Sequence, residues 1–307
     1  MSLMLLTIGQ LLIMTIYLII GYILFRLNVI STAGSRDLAG LLVKLIIPAV
    51  IIQSFCTEFS VHRLQELAQS TLVAILLLGV AILVARVLYP KAPLESFGAA
   101  FSNAGFMGIP LVRAVLGSEA VFYIVPFVAL LNLLQWTYGV DIICQNPTKR
   151  TFGQLSKKLL WNPPMVAIGI GLVIFVSGFG TALPSVVSTT LQGVCALNAP
   201  LAMMVLGVYL AKEKIITLFT SPALYGVCAV RLVLIPLISL GLLWCLPFPH
   251  EMGQAILICA AAPVGANVAV YAQLYEKDHA YASKMVVLST IFSLLTLPAL
   301  AALSQFL

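Results

Sequence analysis

The sequence predicts an all-α polytopic membrane protein with ten transmembrane helices arranged as two inverted repeats of five. Three observations predict this class: an apolar composition, an uncharged block too long for one membrane crossing, and two interrupted hydrophobic spans in corresponding halves. The chain is 62% hydrophobic and only 8% charged, whereas soluble domains carry roughly 25% charged residues. This composition excludes an ordinary soluble domain.

The uncharged block covers residues 159–211, which contain no Asp, Glu, Lys or Arg. One helix needs about 20 residues to cross a membrane, so the block holds two spans, divided near Gly178–Pro184. The polar linker 145–158 separates a first repeat, 1–144, from a second, 159–307. The predicted spans are at about 3–25, 35–56, 66–88, 94–116, 120–143, 162–178, 185–211, 219–246, 252–275 and 280–304.

The fourth span is interrupted by residues that break helices. The stretch FSNAGFMGIPLVRAVL contains Asn103, Gly105, Gly108 and Pro110. A break inside hydrocarbon leaves backbone N–H and C=O groups unpaired unless protein, water or a ligand satisfies them. Such a break therefore predicts a cavity.

The ninth span repeats this interruption in the second half of the chain. The stretch CAAAPVGANVAVYAQLY contains Pro263, Gly265 and Asn267, and Gly265 follows Gly105 by 160 residues. Two broken spans in corresponding positions of two halves indicate the binding site of a secondary transporter.

Basic residues lie in alternate connections, and this sets the predicted orientation. Cytoplasmic loops collect Lys and Arg, so the richer connections are placed inside and both termini outside. Five spans per half give the repeats opposite polarity. The same distribution explains the net charge of +6 without a nucleic-acid partner. The inner set is Arg26, Arg36, Arg86, Lys91, Lys149, Arg150, Lys157, Lys158, Lys212, Lys214, Lys277 and Lys284, against Arg63 and Arg113 outside.

The broken helices predict an anion site. The second half of a broken helix presents free N–H groups and a partial positive charge to the break, which suits a carboxylate or phosphate. We therefore expect a small organic anion as the substrate. The carbonyl ends could equally hold Na⁺, although neither break contains the carboxylates that hard cations usually recruit. A sodium-coupled symporter and a membrane sensor without transport activity remain alternatives.

Asparagine side chains are the first candidates for substrate contact, because an amide both donates and accepts hydrogen bonds. Asn103 and Asn267 either bind the substrate or satisfy the broken backbone. Asn132 and Gln135, one turn apart on the fifth span, either line the cavity or bond between helices, and Asn132 is assigned to the site.

Small and helix-breaking residues complete the candidate site. Glycines let backbones cross closely, and prolines disfavour a continuous helix. Gly105, Pro263 and Gly265 are assigned to the substrate site, and Gly108 and Pro110 to the structural crossover.

Two intramembrane charges are candidates for coupling or charge pairing. Arg231 lies within the eighth span, where a charge costs about 2.5–3.5 kcal/mol, and it either serves function or ties down the C-terminus of a half-helix. Lys44 in the second span is a candidate carrier of a coupling proton. The sequence contains no HExxH, GxSxG or P-loop pattern, so neither an enzyme nor a metal or cofactor site is predicted.

The stretch SNAGFMGIPLVRAVLGSE, residues 102–119, closely resembles the fourth span of the auxin efflux carrier family, which includes plant PIN-FORMED carriers and bacterial malonate-type permeases. The stretch AAPVGANVAVYAQLYEKD, residues 261–278, is similar to the second crossover of that family. Arg231 with Pro236 and Pro48 also match its pattern, while Ser102 stands where many relatives carry proline.

The resemblance implies a fold related to the bile-acid sodium symporters. Spans one, two, six and seven would form a scaffold that dimerises, and spans three to five and eight to ten an elevator-like transport domain. Asn103 matches the crossover asparagine implicated in carboxylate binding, and Asn132 falls where plant relatives carry a polar residue facing the site. The expected location is the bacterial inner membrane, with H⁺ or Na⁺ as candidate coupling ions.

Overall fold

The computed structural model describes residues 3–144, 162–213, 218 and 221–307. The predicted linker 145–158 and Lys214 lie outside the described residues. Within them the chain is helical, with one isolated β-bridge and no strand. The helices are α1 (Leu3–Arg26), α2 (Thr32–Phe55), α3 (Val61–Leu88), α4a (Pro93–Ala100), α4b (Ala104–Leu116), α5 (Val121–Cys144), α6 (Pro163–Ser177), α7 (Ser185–Lys212), α8 (Pro222–Trp244), α9a (His250–Ala261), α9b (Asn267–Leu274) and α10 (His279–Leu303).

Seven of the helices in the described part of the chain are long and apolar enough to cross a membrane, namely α1, α2, α3, α5, α7, α8 and α10. Helices α4b and α6 are apolar but shorter. The predicted all-α polytopic membrane protein is thereby confirmed. The count of ten crossings and the inverted symmetry stay predictions.

The outward faces of the long helices are apolar, as a lipid environment requires. Helix α1 exposes Leu12 and Ile16, α3 exposes Leu72, and α6 exposes Val173. Contiguous apolar patches of this kind are rare on soluble monomers. Hydrocarbon is the solvent that these faces match, since the backbone groups in the middle of a helix are already bonded within the helix.

Three helices widen into a π-helical turn just before a proline. The widened turns Leu42–Ile46, Ala104–Gly108 and Val230–Leu234 precede Pro48, Pro110 and Pro236, respectively. Proline clashes with the carbonyl four residues earlier and lacks an N–H, and a wider turn relieves the clash. The helix therefore continues past each proline, and Lys44 and Arg231 lie in two of these turns.

Candidate functional site

The interruptions of α4 and α9 lie side by side and bond to each other. The N–H of Asn103 donates to the carbonyl oxygen of Pro263 at 2.7 Å, and the N–H of Gly265 donates to that of Phe101 at 2.9 Å. The two segments thus form a short antiparallel pairing. Each break satisfies backbone groups that the other leaves free, as burial in an apolar environment requires.

The second break is also held by α10 and leaves little space at Gly265. The N–H of Val264 donates to Ser289 Oγ at 3.1 Å. A Cβ on Gly265 would lie 3.1 Å from the carbonyl oxygen of Ser102 and 3.2 Å from that of Phe101. A side chain at this position would require one of the two paired segments to move by a few tenths of an ångström, so glycine allows the closest pairing of the two backbones.

Asn103 lies at the start of α4b and carries an unpartnered donor. Its carbonyl oxygen accepts from the N–H groups of Met107 at 3.0 Å and Gly108 at 3.2 Å, which begins the second half of the helix. The residue is only 5% exposed, and its Nδ2 is buried without a hydrogen-bond partner among the described residues. An unpaired buried donor costs about 1–3 kcal/mol. A ligand acceptor placed here would recover that energy.

Asn267 begins α9b and is connected to α5. Its Nδ2 donates to Gln135 Oε1 at 2.7 Å, and Gln135 is buried at the start of a π-helical turn, Gln135–Gly139. In this orientation of the two amides, Asn267 retains Oδ1 as an acceptor, with no partner among the described residues. Of the two alternatives for the polar face of α5, a bond between helices is therefore made by Gln135.

Asn132 makes a different contact from its neighbour on α5. Its Nδ2 donates to the carbonyl oxygen of Val128 at 2.8 Å, within its own helix. The side chain is half-buried. Its assignment to the substrate site stays a prediction, whereas Gln135 reaches the second break directly.

Arg231 reaches the C-terminal ends of both first half-helices. Its Nη1 donates to the carbonyl oxygens of Ala99 at 3.0 Å and Ala100 at 3.2 Å, and its Nη2 donates to that of Ala260. The side chain is 1% exposed. Of the two readings of this intramembrane charge, the contacts match the one in which it ties down half-helix C-termini.

The remaining candidate residues lie in the second break or in the helix that follows the first. Pro263 lies in the second break, and Pro110 lies in the first turn that follows the π-helical part of α4b. Gly105 is half-buried, and a Cβ there would lie 3.6 Å from the side chain of Ile47 on α2. At Gly108 a Cβ would lie 3.0 Å from Cys259 Sγ on α9a, so the two crossing helices pack closely there.

Lys44 lies apart from these contacts. Its side chain is exposed, and it makes no hydrogen bond or ion pair with the residues that the structure describes. A role in carrying a coupling proton stays a prediction.

The geometry brings together two helix N-termini, an amide donor without a partner in the described part of the chain, and an amide acceptor, at paired breaks inside an apolar helical protein. Discontinuous helices whose half-helix ends face a common point are characteristic of secondary transporters. The fold and the candidate site thus define the class as membrane transporter.

Comparison with known sequences identifies the family. The auxin efflux carrier family, whose sequence profile is described as "Membrane transport protein", matches residues 6–301. The chain belongs to this family of transporters, which confirms the resemblance seen in the two crossover motifs.

Two relatives are similar over most of their length. A protein from Methanothermobacter thermautotrophicus, named "Uncharacterized transporter", is 23% identical over 293 residues, which cover 92% of this chain and 93% of the relative. A protein from Rhizobium meliloti, named "Putative malonate transporter", is 24% identical over 233 residues, which cover 73% of this chain and 71% of the relative.

Proposed function

We propose that the protein is a secondary carrier of a small organic anion, a carboxylate of the malonate type, which binds at the α4/α9 crossover and moves by alternating access. Asn103 supports this function most directly, because its buried Nδ2 has no partner among the described residues and lies at the start of α4b. The name of the Rhizobium relative supports the substrate class.

The charge of the site favours a single carboxylate. Each helix N-terminus contributes about half a positive charge, so α4b and α9b together balance roughly one negative charge. Neither break contains an acidic residue that would repel the ligand. A substrate with one ionised carboxylate therefore fits better than a dianion.

The two amides add a preference for a second group on the substrate. Asn103 leaves a donor, which suits the ionised carboxylate. Asn267 leaves Oδ1 as an acceptor because its Nδ2 is bonded to Gln135, so it suits a hydroxyl or a protonated second carboxyl. A half-protonated dicarboxylate or a hydroxy acid would satisfy both.

The proposed architecture has ten crossings in two inverted repeats, 1–144 and 159–307. An inverted repeat exchanges α1 with α6 and α2 with α7, so a contact between α1 and α7 requires a matching one between α6 and α2. Both occur: a Cβ on Gly207 of α7 would overlap the backbone of α1 at Leu18, and a Cβ on Gly171 of α6 would overlap the ring of Phe55 on α2.

The same contacts support a division into a scaffold (α1, α2, α6, α7) and a transport domain (α3–α5, α8–α10). Gln135 on α5, Arg231 on α8 and Ser289 on α10 each hydrogen-bond to an interrupted helix. These bonds would make the crossover move with its own domain, as an elevator-like mechanism requires. Dimerisation through the scaffold, a bacterial inner-membrane location and external termini belong to this proposal.

Flux of radiolabelled malonate into proteoliposomes tests the function. We expect saturable counterflow, competed by other three- to five-carbon carboxylates and increasing as the pH is lowered towards the second carboxyl pKa. Tight binding without counterflow would indicate a sensor. Absence of both binding and flux across a carboxylate panel would contradict the proposal.

A further inference from the structure

The C-terminal ends of α4a and α9a converge on one guanidinium group. Three carbonyl oxygens, from Ala99, Ala100 and Ala260, accept hydrogen bonds from Arg231. In transporters with discontinuous helices, carbonyl ends of this kind coordinate the coupling sodium ion. We propose that Arg231 is a built-in cation that occupies the cation position of the crossover, so that the carrier needs no sodium ion.

The charges of the half-helix ends match this assignment. Each helix C-terminus carries about half a negative charge, so the ends of α4a and α9a together balance one positive charge. The guanidinium supplies that charge. A sodium ion within about 4 Å of it would meet a like charge in a low-dielectric environment, where repulsion is far stronger than in water.

A second, independent observation is that Arg231 has no acidic partner among the residues that the structure describes. The ion pairs among the described residues are His62 with Glu66 and Arg63 with Glu119, and Arg231 joins neither. A buried charge without compensation is strongly destabilising. The helix ends are therefore its counter-charge in the described part of the chain, and they would lack one if the side chain were removed.

The guanidinium group of Arg231 also joins three helices. Arg231 extends from α8, and its two terminal nitrogens contact the C-terminal ends of α4a and α9a. A sodium ion would leave this position in each transport cycle, whereas a covalently attached cation stays. The crossover is thus permanently assembled, and sodium-independent transport by the carrier proposed above is its consequence.

Thermal unfolding of the full chain in detergent tests the assignment without a transport assay. Wild type, Arg231→Ala and Arg231→Lys are compared in NaCl, choline chloride and methylguanidinium chloride at equal ionic strength. Arg86→Ala is the matched control, because Arg86 is an exposed arginine at the end of α3.

We expect the wild-type Tm to be the same in sodium and choline. Arg231→Ala should unfold several degrees lower in choline, and methylguanidinium or Na⁺ should restore part of the loss by binding to the vacated carbonyls. Arg231→Lys should lie between the two, and Arg86→Ala should respond to neither cation specifically.

Two results would overturn the assignment: specific stabilisation of the wild type by Na⁺, or an Arg231→Ala protein that no cation rescues. If Arg231→Ala cannot be purified, Arg231→Gln replaces it in the rescue experiment. If neither variant can be purified, the comparison of the wild-type Tm in NaCl and in choline chloride decides. Cation rescue without malonate transport would refute the proposed function and leave the cation position standing. Malonate transport that requires Na⁺ would support the proposed function and refute the assignment of the cation position to Arg231.

Discussion

Gln135 on α5 accepts a hydrogen bond from Asn267 Nδ2 at 2.7 Å, and this bond connects the fifth helix to the second half of the ninth. Gln135 is 2% exposed, so the bond forms away from bulk water. It fixes which side of the Asn267 amide remains free, and thereby which group of a substrate the second break can accept.

The first prediction removes this bond. Gln135→Leu should weaken malonate binding about fivefold, because one buried hydrogen bond contributes about 1 kcal/mol and Asn267 would lose its fixed orientation. Isothermal titration of the purified variants measures the affinity. Thr137→Val is the control, since Thr137 lies in the same turn but bonds to the carbonyl of Leu133 in its own helix. Equal affinity of Gln135→Leu and wild type would remove Gln135 from the site.

The second prediction concerns Asn103. Asn103→Ala should lower carboxylate affinity roughly tenfold without lowering Tm, because its buried Nδ2 makes no bond within the described protein that the change would break, and the cost of burying it unpaired is removed. Asn103→Asp should abolish binding by placing a negative charge next to the carboxylate. Asn132→Ala measured in parallel decides whether Asn132 also contacts the substrate. Wild-type affinity in Asn103→Ala would locate the anion elsewhere.

The positions of the two breaks could be predicted from the sequence, because Gly, Pro and Asn cluster rarely within apolar spans. Pro263 and Gly265 mark the second break where the structure has it. The hydrogen bond between Asn103 and Pro263 could not be predicted from the sequence, since a bond between segments 160 residues apart depends on how the helices cross.

The partners of polar side chains could not be predicted for the same reason. Arg231 has two physically reasonable roles in a helix of unknown depth, and only the position of the carbonyls of Ala99 and Ala260 distinguishes them. Gln135 and Asn132 share a face in sequence, yet one bonds to α9b and the other to its own backbone. No proline explains the widened turn at Gln135–Gly139, so no sequence signal indicated it.

The third prediction tests the orientation. In a cysteine-free background, Lys91→Cys should react with an impermeant maleimide only after the membrane is permeabilised, whereas Ser118→Cys should react in intact cells. Both positions are exposed in loops at opposite ends of α4, and the positive-inside distribution places Lys91 in the cytoplasm. Labelling of Lys91→Cys in intact cells would invert the predicted topology.

The fourth prediction tests the paired breaks themselves. Gly265→Leu should abolish transport and lower the free energy of unfolding by about 1–3 kcal/mol. A Cβ there meets the backbone carbonyls of Phe101 and Ser102 at 3.2 and 3.1 Å, and backbone already held by the antiparallel pairing cannot rotate away as a flexible side chain can. The side chain would therefore force the crossing segments apart and break the 2.9 Å bond from Gly265 to Phe101.

Gly193→Leu is the matched control, because Gly193 is an exposed glycine of α7 whose Cβ would contact nothing within 4 Å. Proteoliposome counterflow and thermal unfolding of both variants give the comparison. Gly193→Leu should behave as wild type, since it adds an apolar side chain to an open face of an apolar helix. Full counterflow by Gly265→Leu would show that transport does not depend on close approach of the two breaks, and the substrate would then have to bind away from the crossover.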